Sequence, residues 1–311
     1  MPVIALTGAT GFVGRALVTH LLATRPESEI RLLVRGAAQR PLPAAWRSDR
    51  VRVIPGSLND RDALNALVEG SDTVVHIAAA IAGNRLEDFE RSNIVGTRSL
   101  LESLSLQAPS SHLIQISSLA ARRPELSWYS ATKRAAEELV CVRWPVHSII
   151  RPPAVYGPDD PALASFWKLL ARGWLLRLGS AQARFSLLHV DDLVRLIDTR
   201  IEAGANAAII EAAGPQPDGG WSWSAVAAVA AGVRGAPVRT LALPGALLRS
   251  AGWLGPLTGR LTGTAALLNP GKVRELQHID WVCDNLHDAT GWRSMIALDQ
   301  ALTDLPGWRT A

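Results

Sequence analysis

The stretch from Val3 to Gly14 constrains this chain more than any other. An apolar run, Val3 to Leu6, leads directly into Gly8-x-x-Gly11-x-x-Gly14, and apolar residues at helical spacing continue from Phe12 to Leu22. A strand that turns sharply into a helix has a separate use for each of these glycines. Gly8 permits the tight turn, Gly11 lets backbone approach a pyrophosphate, and Gly14 lets helix and strand pack closely. The helix start then offers free N–H groups to an anion, so the segment is predicted to cradle a dinucleotide.

The alternation continues for half the chain. Apolar runs at Ile30–Val34, Val51–Ile54, Thr73–Ile77, His112–Ile116 and His147–Arg151 read as strands. Helical spacing marks Arg61–Val68, Phe89–Leu106 and Trp128–Val142. The strands are apolar throughout rather than alternating, which predicts a parallel sheet buried under helices on both faces, an α/β Rossmann doubly wound fold. Residues 1–155 are expected to form the dinucleotide-binding domain and 156–311 a smaller, mainly helical substrate lobe. The strand–helix pattern at 185–213, with its helix begun near Asp191 and capped by Asp191 or Asp192, is expected to return to the sheet. Leu241–Leu286 reads as helical, and Trp253, Trp281, Trp292 and Trp308 as core.

Net charge is +4 and arginine carries it, since Lys133, Lys168 and Lys272 are the only lysines. The arginines are scattered without a basic run, which argues against nucleic acid as a partner. Apolar stretches such as Ser224–Val233 are too short and glycine-broken to span a membrane, so no membrane partner is expected. No secretory signal is visible. Cys141 and Cys283 have neither metal nor redox spacing, so no metal site is expected, and reduced thiols point to a cytoplasmic protein.

The chain has two tyrosines, and Tyr129 is followed four residues later by Lys133, a coincidence of roughly 2% by composition. One helical turn puts both on one face. An ammonium beside a phenol, together with the oxidised nicotinamide, is expected to bring its pKa, ordinarily near ~10, closer to neutrality, as acid–base work requires. Ser118 follows the strand His112–Ile116, at the strand end where α/β sheets present ligand groups. It is the third candidate, with Ser117 as its alternate. The competing reading of all three is a surface tyrosine, a snorkelling lysine and two turn serines.

These motifs, Thr7-Gly8-Ala9-Thr10-Gly11-Phe12-Val13-Gly14, His76-Ile77-Ala78-Ala79, Asn93-x-x-Gly96-Thr97, Ser117-Ser118, Tyr129-x-x-x-Lys133 and Arg151-Pro152-Pro153-Ala154-Val155-Tyr156-Gly157-Pro158, resemble the extended short-chain dehydrogenase/reductase family over nearly the whole chain. The resemblance implies catalysis by Ser118, Tyr129 and Lys133, with Lys133 also holding the nicotinamide ribose. It implies cofactor contacts from Gly8, Thr10, Gly11, Phe12, Val13, Gly14, Leu58, Ala78, Ala79, Tyr129, Lys133, Pro152 and Val155. It also implies a helix-bridging role for Asn93 and a homodimer through the Phe89 and Trp128 helices. Where an acid would bind the ribose of NAD the chain has Val34-Arg35, and a guanidinium suits a 2′-phosphate. NADP(H) is therefore the expected cofactor, with NAD(H) the alternative.

Three departures bear on the substrate. Leu119-Ala120-Ala121 lacks the acids of sugar dehydratases. Ala154 stands where nucleotide-sugar enzymes have asparagine, and Arg122 where sugar epimerases often have tyrosine. The Arg-Pro-Pro-Ala-Val-Tyr-Gly-Pro segment resembles the dihydroflavonol reductase and 3β-hydroxysteroid dehydrogenase branch. The expected reaction is hydride transfer between NADP(H) and a small-molecule carbonyl or secondary alcohol. A nucleotide-sugar epimerase, whose diphosphate Arg177 and Arg184 would grip, is the alternative; a catalytically silent NADP(H) sensor is the third reading.

Overall fold

The computed structural model describes residues 1–36, 42–262, 264–284 and 291–308. Its first half is built from β1 (Val3–Thr7), α1 (Phe12–Thr24), β2 (Glu29–Val34), β3 (Val51–Pro55), α2 (Arg61–Val68) and β4 (Thr73–His76). These are followed by α3 (Leu86–Glu90), α4 (Gly96–Gln107), β5 (His112–Ile116), α5 (Trp128–Arg143), β6 (His147–Arg151) and β7 (Ala154–Tyr156). The second half contains α6 (Ala164–Ala171), β8 (Trp174–Leu178), β9 (Arg184–Phe185), β10 (Leu187–His189), α7 (Val190–Ala203), β11 (Ile209–Glu211) and α8 (Trp223–Arg234). It ends with β12 (Arg239–Leu243), α9 (Gly245–Thr262), α10 (Pro270–Gln277), β13 (Asp280–Trp281) and α11 (Leu298–Leu302).

Seven strands form one parallel sheet in the order β11-β6-β5-β4-β1-β2-β3. The order reverses between β1 and β4, so the two strands' carboxyl ends open the crevice where α/β sheets bind ligands. Central strands are covered on both faces: β5 is buried at every position, its His112 and Gln115 included. The edge strand β3 departs from that expectation, with Arg52 and Val53 exposed, because it has one sheet neighbour. The chain does return to the sheet after β10, since β11 pairs with β6. Leu193, Val194, Leu196 and Ile197 of α7 share a core with Leu17, Val18 and Leu21 of α1.

Helix α7 is not capped by either aspartate. His189 is its N-cap, accepting from Asp191 N–H at 3.2 Å. Asp192 is fully buried and accepts the backbone N–H groups of Met295 and Ile296, each at 3.0 Å. A carboxylate in the first turn thus ties the C-terminal segment to the sheet while favouring the helix dipole.

A second hydrophobic cluster joins Tyr156, Trp167 and Leu170 to Leu175, Val226, Leu298 and Leu302. Leu241–Leu286 is helical in α9 and α10 but also contributes β12 and β13; its residues 263 and 285–286 lie outside the described ones. Trp292 is core and Trp308 packs on the second cluster. Trp253 instead stands 72% exposed on α9, and Trp281 is half-buried.

Candidate active site

The glycine loop has the local geometry its spacing predicts. Gly8 sits at φ +77°, and a Cβ there would stand 2.6 Å from Ala78 N, at the end of the neighbouring strand. A Cβ on Gly14 would collide with the Gly8 carbonyl. Gly11 is the N-cap of α1, and no side chain caps that helix. Backbone donors at its start therefore face the cleft without a competing carboxylate, which fits a diphosphate.

His76 fastens this loop from beneath. Thr97 donates its hydroxyl proton to Asn93 O at 2.7 Å, so at 3.0 Å from His76 Nε2 it is the acceptor. Nε2 therefore carries the ring proton, and Nδ1 accepts from the Thr7 hydroxyl at 2.7 Å. Burial holds the His76 pKa down to about 3, with the Lys133 charge adding to the effect, so the ring is neutral.

The helix read from Phe89 to Leu106 is divided by a π turn at Arg91–Val95, a distortion frequent at functional sites. It carries Asn93, which is buried. Asn93 Oδ1 accepts from Ala80 N at 2.7 Å, and its Nδ2 donates to Ala80 O (3.2 Å) and to the Thr132 hydroxyl (3.0 Å). It bridges the loop after β4 to α5, as the expectation had it.

Ser118, just past β5, caps a short 3₁₀ turn, and its hydroxyl lies near enough to the Tyr129 phenol to favour the phenolate. Its neighbour Ser117 points elsewhere, donating to Glu137 Oε1 at 2.5 Å. Glu137 is also gripped by Arg151 at 2.8 and 2.6 Å, a buried bidentate pair between α5 and β6. That pairing occupies Ser117 and leaves Ser118 as the serine beside the phenol.

The protein's own groups move the phenol's pKa upward. It is pushed up to about 12 by burial, with the Ser118 hydrogen bond opposing and the Glu275 charge reinforcing the rise. Lys133 is itself brought down to about 8 by burial, against the pull of Glu137, and its ammonium donates to Ile116 O at 2.7 Å. Desolvation is thus the largest influence on the phenol.

Two residues beside Tyr129 carry no sequence signal. Lys272 Nζ lies 5.8 Å from the phenol ring centroid and donates to Glu275 Oε2 at 2.7 Å. Glu275, buried in α10, accepts from the hydroxyls of Ser127 and of Ser130, the latter at 3.1 Å. It joins α10 to the first turn of α5, with 146 residues separating it from Tyr129. No local spacing could have found it.

The expected cofactor contacts from Gly8 to Val155, with Arg35, and the trio Ser118, Tyr129 and Lys133 line one cleft of about 2820 Å³. Phe166, Leu176, Leu187, Trp223, Val226 and Trp281 from the second half of the chain add apolar wall to the same cleft. Arg184 lines the cleft too. Arg177 does not, and Arg122 is turned away to Glu211, Asp284 and Val282 O.

Sheet order, glycine cradle and cleft define an α/β NAD(P)-dependent oxidoreductase of the extended short-chain dehydrogenase/reductase type. Comparison with known proteins agrees. The profile of the NAD dependent epimerase/dehydratase family matches residues 4–213. A ceramide reductase of Caulobacter vibrioides is 36% identical, over 99% of this chain and 95% of that protein. A UDP-2-acetamido-2,6-beta-L-arabino-hexul-4-ose reductase of Pseudomonas aeruginosa is 28% identical over 62% of this chain and 47% of its own length. Among solved structures, MoeE5 in complex with UDP-glucuronic acid and NAD has a TM-score of 0.71 at 21% identity, covering 99% of this chain and 98% of that one. The chain belongs to the NAD dependent epimerase/dehydratase family.

Proposed function

We propose that this enzyme interconverts a ketone and a secondary alcohol on a long-chain lipid substrate of the ceramide class, with NADP(H) as hydride partner. The observation that carries the reading is the set of large apolar side chains, Phe166, Leu176 and Trp281 among them, that line the same cleft as Tyr129. An aliphatic tail would bury there at roughly 0.8 kcal/mol per methylene. The 36% identity to a ceramide reductase along almost the full chain supports the same class.

Residues 1–155 with 185–213 form the cofactor half in this reading, and the remainder holds substrate. The Gly8–Gly14 loop with Thr10, Phe12 and Val13 would hold the diphosphate, Arg35 the 2′-phosphate, and Leu58 the adenine side. Ala78, Ala79, Pro152 and Val155 would flank the cofactor, with Lys133 on the nicotinamide ribose. When bound, the nicotinamide supplies or accepts the hydride. Ser118 donates a hydrogen bond to the substrate oxygen and keeps it beside Tyr129. In reduction, Tyr129 passes its proton to that oxygen as the carbonyl carbon takes the hydride; in oxidation, the phenolate removes the hydroxyl proton.

The test is NADPH absorbance with a keto-lipid amide. Stoichiometric loss supports the reading, whereas conversion of a nucleotide sugar without net NADPH change identifies an epimerase. Tight NADPH binding without turnover of any substrate identifies a sensor. Arg35→Ala is expected to weaken NADPH binding about 10- to 100-fold while leaving NADH little changed, and equal effects on both would remove the NADP assignment.

Free Cys141 and Cys283 support a reducing, cytoplasmic setting. For a homodimer, Phe89 is unsuitable as a contact because it is buried against Trp128, their ring centroids 6.3 Å apart. Trp128, Leu106 and Val142 remain exposed on α4 and α5. Sedimentation of wild type against Leu106→Glu/Val142→Glu tests that interface; an unchanged dimer would rule it out.

A further inference from the structure

Helix α9 has two faces of unlike character. Gly252, Gly255 and Gly259 lie along the inner one, where added Cβ atoms would meet Val273, the Leu268 carbonyl and Thr264 O, respectively. The opposite face carries Leu247 (60% exposed), Trp253 (72%), Leu254 (57%) and Leu257 (55%). Such a cluster of large apolar side chains on one helix face marks a contact surface, since scattered exposure would need no explanation.

Charge identifies the kind of partner. Residues 219–274 contain six arginines and lysines and no aspartate or glutamate, although the whole chain has 28 acids. Lys272 is neutralised by Glu275, but among the described residues no carboxylate pairs with Arg234, Arg239, Arg249 or Arg274. Arg234 is spent on the Ala171, Ala236 and Pro237 carbonyls and Arg239 lies over Trp174, but Arg249 is exposed on α9 itself and Arg274 on the adjoining α10. Exposed leucines and a tryptophan with these two cations suit an anionic lipid surface, with the apolar face entering the acyl boundary and guanidinium groups meeting headgroup phosphates. A second copy of this chain suits it poorly, because a two-fold contact sets the same cations against themselves. No described helix is long and apolar enough to cross a membrane, so the contact is one of lying on the bilayer.

We propose that the α9 face docks the enzyme on anionic membrane surfaces. The segment packed under α9, Thr264 to Leu268, also lines the cleft, and Leu267 is itself half-exposed. Docking through α9 therefore places the substrate half of the cleft beside the bilayer. The surface rests on exposure and charge, independent of the lipid-ketone reading.

The experiment is co-sedimentation of the full chain with vesicles of phosphatidylglycerol and phosphatidylcholine, compared with phosphatidylcholine alone, without cofactor or substrate. Binding is expected to the anionic vesicles, to fall with salt, and to drop at least about tenfold in Trp253→Ser/Leu254→Ser/Leu257→Ser. Arg249→Glu should weaken it by a smaller factor and steepen no other property. Circular dichroism and NADPH binding of both variants should match wild type, since these side chains lie on the far side of α9 from the cleft. No binding to anionic vesicles, equal binding to neutral ones, or binding unaffected by the triple variant would each overturn the proposal. A concentration-dependent dimer abolished by the triple variant, with no vesicle binding, would assign the face to a second copy. A failed keto-lipid assay leaves these outcomes untouched, as failed docking leaves that assay.

Discussion

Tyr129 is held in a setting that makes its proton hard to remove. Burial and the Glu275 charge both favour the neutral phenol, which suits a group that donates a proton in reduction. Tyr129→Phe is expected to lower turnover by at least about 100-fold with NADPH binding nearly unchanged, read by stopped-flow and fluorescence titration. Glu275→Gln removes the anion that raises the phenol pKa. The alkaline limb of the pH–rate profile should then move to lower pH, while a purely structural Glu275 would change stability and leave that limb in place. Ser127 and Ser130 lose a charged acceptor in this variant but keep an amide oxygen, so the fold is expected to persist.

The β1–α1 turn and the strands around it depend on close backbone approach and on neutral buried imidazoles. Gly14→Ala would force its methyl into the Gly8 carbonyl, at a cost of about 1–3 kcal/mol, and should lower the urea midpoint together with cofactor affinity. His76 and His112 are held neutral by burial, with pKa values of about 3 and about 4. Between those values and the ordinary 6.5, the unfolded chain binds protons that the folded one refuses. Stability therefore falls as pH drops from 6.5 toward 3. At pH 4.5 the His76 contribution is about 2–3 kcal/mol. Urea unfolding at pH 7 and 4.5 should show a smaller difference in His76→Asn than in wild type, and an equal difference would refute the role of this ring.

Across the whole molecule, the cleft runs between the sheet's carboxyl ends and the second hydrophobic cluster, so its occupant contacts both. A ligand bound only by the folded chain stabilises it by about 2.7 kcal/mol at 100 times its Kd. NADPH should therefore raise Tm by several degrees in a concentration-dependent manner, and Arg35→Ala should shift that response to higher NADPH. A Tm indifferent to both nicotinamide cofactors would contradict a cofactor cleft in this chain.

The sequence by itself determined the main strands and helices of the first half and their order, the glycine turn and the Tyr129–Lys133 face. These follow from strand and helix periodicity, from the sterics of a missing Cβ and from the spacing of one helical turn, all of which act over a few residues. Even the choice of a parallel sheet was legible, because β4, β5 and β6 lack an apolar–polar alternation and are buried on both faces. Tertiary structure alone decided what depends on distant partners. It brought Glu275 to Tyr129, gave Ser117 to the Glu137–Arg151 pair, and set Asp192 to hold Met295 and Ile296 rather than cap its own helix. It also set the desolvation that raises the phenol's pKa, since desolvation is a property of packing rather than of spacing. Trp253 and the α9 leucines look like core in the sequence, because hydrophobic residues at helical spacing read alike whether a neighbour covers them or not.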